Sequence, residues 1–110
     1  MPDDLAVDDL EVIDNRDANR YEIRLGDDLA LVTYRRRSST IALIHTEVPK
    51  ALEGHGLAAR LAKHALDEAR TNGLDVIPFC PYVSAYIDRH PEYADIVATK
   101  EQWKAFLSGD

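Results

Sequence analysis

A one-sided apolar helix held between two short apolar runs leaves this chain few ways to fold. Leu57, Ala58, Leu61, Ala62, Ala65, Leu66 and Ala69 recur at helical steps, with Arg60, Lys63, His64, Asp67, Glu68 and Arg70 on the solvated side. That spacing predicts an amphipathic helix. Asn72 and Gly73 stop it, glycine being the residue that best takes the left-handed position after a helix. Before it, residues 40–48 are almost continuously apolar until Pro49, and after it residues 75–80 carry Val76, Ile77 and Phe79. Strand, helix and strand in that order fold as a right-handed crossover, with the two strands parallel.

Upstream the period changes to two. A β pattern begins at Leu10, and Tyr21, Ile23 and Leu25 alternate with Glu22 and Arg24, as in a half-buried strand. Gly26, Asp27 and Asp28 signal a turn, and residues 29–34 return as a second strand. Residues 35–39 make the next turn, with Arg35, Arg36 and Arg37 as a charged hairpin tip, so that the run at 40–48 becomes a central strand. Downstream, Pro81 opens a second helix with Val83, Tyr86 and Ile87 inward, ended by His90 and Pro91. Residues 92–98 read as a last strand, and Trp103, Phe106 and Leu107 suggest a terminal amphipathic helix. The expected fold is α+β (α/β): a compact mixed sheet, an antiparallel N-terminal meander followed by a β-α-β-α unit. One domain covers residues 10–110, and the mostly acidic, unpatterned residues 1–9 are expected to fray.

Charge and cysteine content narrow the function classes. The net charge of −7 is concentrated in residues 1–28, which hold ten acids against three arginines, while the rest of the chain balances. A neutral body with an acidic end argues against a nucleic-acid partner. The longest apolar runs, at 29–32 and 41–44, are four residues each, far short of the roughly 18 that a membrane span needs. The acidic start has neither the basic nor the apolar part of a secretory signal. A single cysteine, Cys80, allows no internal disulfide, and no Cys-His cluster suits zinc. We therefore expect a cytoplasmic protein with no membrane partner and no metal.

Three features carry chemistry. Gly54 and Gly56 flank His55 just ahead of the main helix, where a curled backbone and unpaired helix N–H groups suit a phosphate. The bare alternative is a tight turn. On the strand at 40–48, strict alternation puts Ile41, Leu43, His45 and Glu47 on one face, so two ionisable groups follow two apolar ones at the strand's C-terminal end. The alternative is a strand that merely reaches solvent. Cys80 ends the next strand ahead of a helix, a place for a reactive thiol close to His45 and Glu47, or for inert packing.

Four segments, taken in order, resemble the GNAT superfamily of acyl-CoA N-acyltransferases, and in particular its small stand-alone branch. They are His45-Thr46-Glu47-Val48-Pro49, then Glu53-Gly54-His55-Gly56-Leu57-Ala58, then Pro78-Phe79-Cys80-Pro81-Tyr82-Val83, and finally Tyr86-Ile87 with His90-Pro91-Glu92-Tyr93. The resemblance covers residues 10–98 and implies acetyl-CoA, or coenzyme A, as co-substrate and an amine as acceptor. The family's Arg/Gln-x-x-Gly-x-Gly/Ala pattern falls on Glu53, Gly56 and Ala58, with Gly54, His55 and Leu57 between. Backbone N–H groups of that loop then hold the pyrophosphate, and Thr46, Glu47 and Val48 pair with the pantetheine arm. Glu53, in place of Arg or Gln, implies weakened affinity. The reduced N-terminal half lacks the two helices that help to build the acceptor pocket in larger members.

N-acetyl transfer needs a base, a polarised carbonyl and a proton for the departing sulfur. Glu47 or His45, directly or through water, is the candidate base, a main-chain N–H at Glu47–Val48 polarises the carbonyl, and Tyr86, which resembles the family's tyrosine near the thioester, protonates the sulfur. Cys80 matches a cysteine that lies near the acyl group, and it opens a covalent route beside direct attack. The competing reading is a protein that binds coenzyme A or acetyl-CoA without turnover.

Overall fold

The computed structural model describes residues 10–109, so the acidic residues 1–9 and their expected fraying lie outside the described residues. Five strands form one sheet in sequence order: β1 (Ile13–Asn15), β2 (Arg20–Leu25), β3 (Asp28–Arg37), β4 (Thr40–Glu47) and β5 (Asp75–Pro78). β1 to β4 run antiparallel, and β5 joins β4 in parallel. That parallel pair is the crossover expected from the sequence, with α1 (Leu57–Thr71) as its connection. α2 (Pro81–Arg89) and α3 (Lys100–Leu107) complete the chain.

The main core lies between the sheet and the apolar stripe of α1. Leu57, Leu61 and Leu66 are buried there with Ile23, Val32, Ile41 and Leu43. Each such side chain contributes roughly 1.5–3 kcal/mol by leaving water. Val83, Tyr86 and Ile87 of α2 join the same cluster. His64, expected on the solvated side of α1, is half-buried and meets the Tyr21 ring edge-on at 5.3 Å. α3 covers the opposite face beside Ala42 and Ile77, through Phe106 and Trp103. Its start is a capping box, in which Thr99 and Gln102 satisfy each other's backbone N–H.

The structure corrects further sequence expectations. Arg35, Arg36 and Arg37 are not a hairpin tip but the end of β3, paired with Ala42, Ile41 and Thr40. The turn shrinks to two serines, with Ser38 at φ 49°. Arg37 is held in place because its guanidinium lies 5.2 Å from the centre of the Phe106 ring and donates to that residue's carbonyl. Residues 92–98 are not a strand. Pro91–Ile96 forms a 3-10 turn, and only Val97 makes a bridge, to Val76. Pro91 favours that turn because its fixed φ suits a helical first position. Glu22, expected on the solvated side of its strand, has no exposed surface, because Arg20, Arg24 and Asn15 close over its carboxylate.

Candidate functional site

The loop ahead of α1 forms one wall of a groove of about 160 Å³, which also involves Val48, Leu52, Ala59 and Tyr82. Pro49 releases the chain from β4, and the 3-10 turn Lys50–Leu52 buries Leu52 to anchor the glycine loop. Gly54 and Gly56 then take φ of 86° and 75°, values that only glycine adopts freely. Gly56 occupies the N-cap position of α1 with no side-chain cap, and the first turn contains no acid. The amides that open α1 therefore keep their capacity to donate, at the positive end of the helix dipole. Gly54, Gly56 and Ala58 line the groove together with Glu53. Leu57 sends its side chain into the core, at 1% exposure, and offers its main chain to this site. His55 is exposed.

A β-bulge decides which side chains share this groove. Tyr34 pairs with Leu43 but Thr33 pairs with His45, so Ile44 is an extra residue in β4. The extra residue reverses the alternation beyond it. Thr46 pairs with Val32 of the main core and faces α1, whereas His45 and Glu47 pair with Thr33 and Leu31 and face the other way. This overturns the expectation that His45 and Glu47 stand beside Cys80. They pair with each other instead, Nε2 to Oε2 at 3.1 Å, on an exposed surface.

The partner of Cys80 is Thr46. The two side chains are 3.2 Å apart, Oγ1 to Sγ, and the thiol is buried. The Cys80 amide donates to the Leu43 carbonyl at 2.9 Å, which fixes the N-cap of α2 against β4. The parallel ladder ends at Leu43 and Pro78, so beyond that pair β4 keeps a strand partner only in β3. Val48, two residues past Thr46, lies in the groove.

Tyr86 points inward, as the pattern of the second helix predicts. It is buried, stacks on His90 with ring centres 3.9 Å apart, and lies near Tyr93. His90 Nδ1 is 2.8 Å from the Tyr86 carbonyl and so closes the end of α2. Burial, with Asp67 and Glu92 adding to it and Lys63 opposing, raises the pKa of the Tyr86 phenol. The tyrosine that lines the groove is Tyr82. Leu52 and Ala59 line the groove too, although the sequence did not single them out; an isolated leucine in a polar loop after a proline was the available signal. Among the described residues no three His, Cys, Asp or Glu side chains gather as a metal site, and no helix is long and apolar enough to cross a membrane.

Comparison with known proteins decides the family. The model for the GCN5-related N-acetyl-transferase family matches residues 20–96. This chain belongs to that family. The GCN5-related chain is 33% identical to protein NATD1 of Xenopus tropicalis over 85 residues, which are 74% of this chain and 78% of that one. To NATD1 of Homo sapiens it is 34% identical, over 74% of this chain and 75% of the other. A GCN5-like protein from Staphylococcus aureus, solved by NMR, shares 31% identity, covers 81% of this chain and 88% of its own, and superposes with a TM-score of 0.64. The mixed five-stranded sheet of this GCN5-related chain is thus the family's α+β fold.

Proposed function

We propose that this chain moves the acetyl group of acetyl-CoA onto an amine. The observation that carries the reading is the uncapped start of α1, which opens through Gly54 and Gly56 into the groove that Val48 also lines. Main-chain donors, two left-handed glycines and a first turn free of acids suit a diphosphate. Space is available as well, since a Cβ placed on either glycine would meet nothing within 4 Å. Glu53 is the one misfit, a carboxylate beside an anion.

In this reading the amides of residues 54–58 hold the diphosphate, and the free edge of β4 at residues 46–48 orients the pantetheine arm. The bound thioester supplies an activated acyl carbon. On the chain's side, the pair formed by His45 and Glu47 lies on the other face of β4 and takes the proton of the attacking amine through water at the strand's end, while Tyr82 lines the groove with its hydroxyl on offer. Attack is direct. Cys80, buried against Thr46, shapes the acyl end of the site.

One observation favours a second reading, binding without turnover: the ionisable pair of His45 and Glu47 at this end of β4 faces away from Cys80. A single experiment separates the two. The chain is incubated with acetyl-CoA and a mixture of primary amines while the release of free thiol and the backbone amides of residues 46–58 are both followed. Thiol release together with amide shifts supports transfer. Shifts without release support a binder, and the absence of shifts at millimolar acetyl-CoA removes both readings.

A further inference from the structure

At the opposite end of α1 lies a second, polar cavity of about 170 Å³, lined in part by Asp14, Arg16, Asn19, Tyr21, Arg36 and Asn72. The 15 residues of α1, about 22 Å of helix, separate it from the loop at residues 53–56. Tyr21 is only 4% exposed, yet its hydroxyl makes no hydrogen bond among the described residues. That oxygen is not sealed in the core, because no buried side-chain polar atom of the described residues lacks a partner. It therefore reaches the surface, and Tyr21 is among the residues that line the cavity. Burial raises the Tyr21 pKa to about 12, with Asp14 and Glu68 adding and Arg36 and Arg16 opposing. The hydroxyl is accordingly a proton donor at any physiological pH.

Both oxygens of Asp14, the carboxylate that lines the cavity, are already engaged. One Asp14 oxygen takes the Tyr34 hydroxyl at 2.6 Å and the other takes Arg16 Nε at 3.2 Å. Arg36 has no ion-pair partner among the described residues. What carries no side-chain hydrogen bond among the described residues is a phenol, a guanidinium and two side-chain amides, which together offer more N–H and O–H donors than acceptors. A guanidinium matches the two coplanar oxygens of a carboxylate. The volume lies below the roughly 300–1,000 Å³ typical of drug-sized sites, which limits the ligand to a small organic acid. We propose that this cavity binds a small carboxylate, held by the Tyr21 hydroxyl and the Arg36 guanidinium with Asn19 and Asn72 at its sides. The inference is independent of the acyl-transfer reading, since it shares no residue with the groove.

The test is an NMR amide titration of the full chain at constant ionic strength with succinate, its neutral diamide succinamide, or inorganic phosphate. Succinate is expected to give saturable shifts at Asn19, Tyr21, Arg36 and Asn72, and succinamide none. Both Tyr21→Phe and Arg36→Gln are expected to weaken that binding at least tenfold. Tyr21→Phe removes an oxygen that bonds to nothing in the fold, so its melting temperature should match the parent; should it melt lower, Arg36→Gln decides alone. The proposal is overturned by succinate that causes no saturable shift, by equal shifts from succinamide, by preferred binding of phosphate, or by unchanged affinity in Arg36→Gln.

Discussion

The Thr46 hydroxyl and the Cys80 thiol stand 3.2 Å apart and tie the bulged end of β4 to the N-cap of α2. The contact places the only sulfur nucleophile of the chain beside the strand segment proposed to hold the donor. With attack direct, Cys80→Ser should keep acetyl transfer within about tenfold of the parent, because serine preserves the shape and the hydrogen bond. Steady-state rates of thiol release measure this. A loss of 10³ or more would assign Cys80 the covalent role instead.

Gly56 takes φ of 75° with open space where a Cβ would lie. Gly56→Ala should therefore cost only the conformational penalty, about 1–2 kcal/mol, read as a lower melting temperature. The same change should weaken acetyl-CoA binding in calorimetry. Unchanged affinity would mean that the ligand does not touch this backbone.

Removing the charge of Glu53 should help a bound anion. Glu53→Gln is expected to tighten acetyl-CoA binding a few-fold at low ionic strength, with the gain shrinking as salt screens it. A titration series at two salt concentrations reads both effects, and looser binding in the variant would contradict the assignment of this loop to the diphosphate.

If the pair of His45 and Glu47 accepts the amine proton, Glu47→Gln should lower kcat about 10²-fold. Acetyl-CoA affinity should stay at the parent level, because both side chains face away from the groove. Equal kcat in variant and parent would leave the pair without a part in transfer.

Glu22 couples stability to acid. Burial raises its pKa, but hydrogen bonds from Arg20, Asn15 and Arg24 outweigh burial and bring it from 4.5 to about 2. A depressed folded-state value means that its stabilisation is complete above pH 4.5 and is lost as pH falls toward 2. Denaturant melts between those limits should show stability falling in the parent and a flatter profile in Glu22→Gln. At neutral pH that variant should be about 1–3 kcal/mol less stable, because the two guanidinium groups lose the carboxylate charge and one of them faces an NH2 in place of an acceptor.

Much of this architecture was legible in local pattern. The stripe from Leu57 to Ala69, the stops at Pro49 and Gly73, and Pro81 at the start of α2 each follow from backbone and burial rules that act within a few residues. The glycines at 54 and 56 were legible for the same reason, since a positive φ is a demand on the residue itself. The identity of the groove's tyrosine was not. Tyr82 and Tyr86 lie one turn apart on α2, and only the packing of Tyr86 against His90 separates their environments.

The sequence by itself determined the order of the strands and helices from β2 to α2, and which loop can present free amides to an anion. The tertiary structure decided which side chains look into that loop. Residues 40–48 read as evenly alternating, but pairing with β3 inserts Ile44 as an unmatched residue and turns His45 and Glu47 over while bringing Thr46 to Cys80. A bulge is a property of two strands in register, so no periodicity within one of them can announce it. The same holds for Glu22, whose burial depends on arginines on its own strand folding back over the sheet rather than on its own polarity.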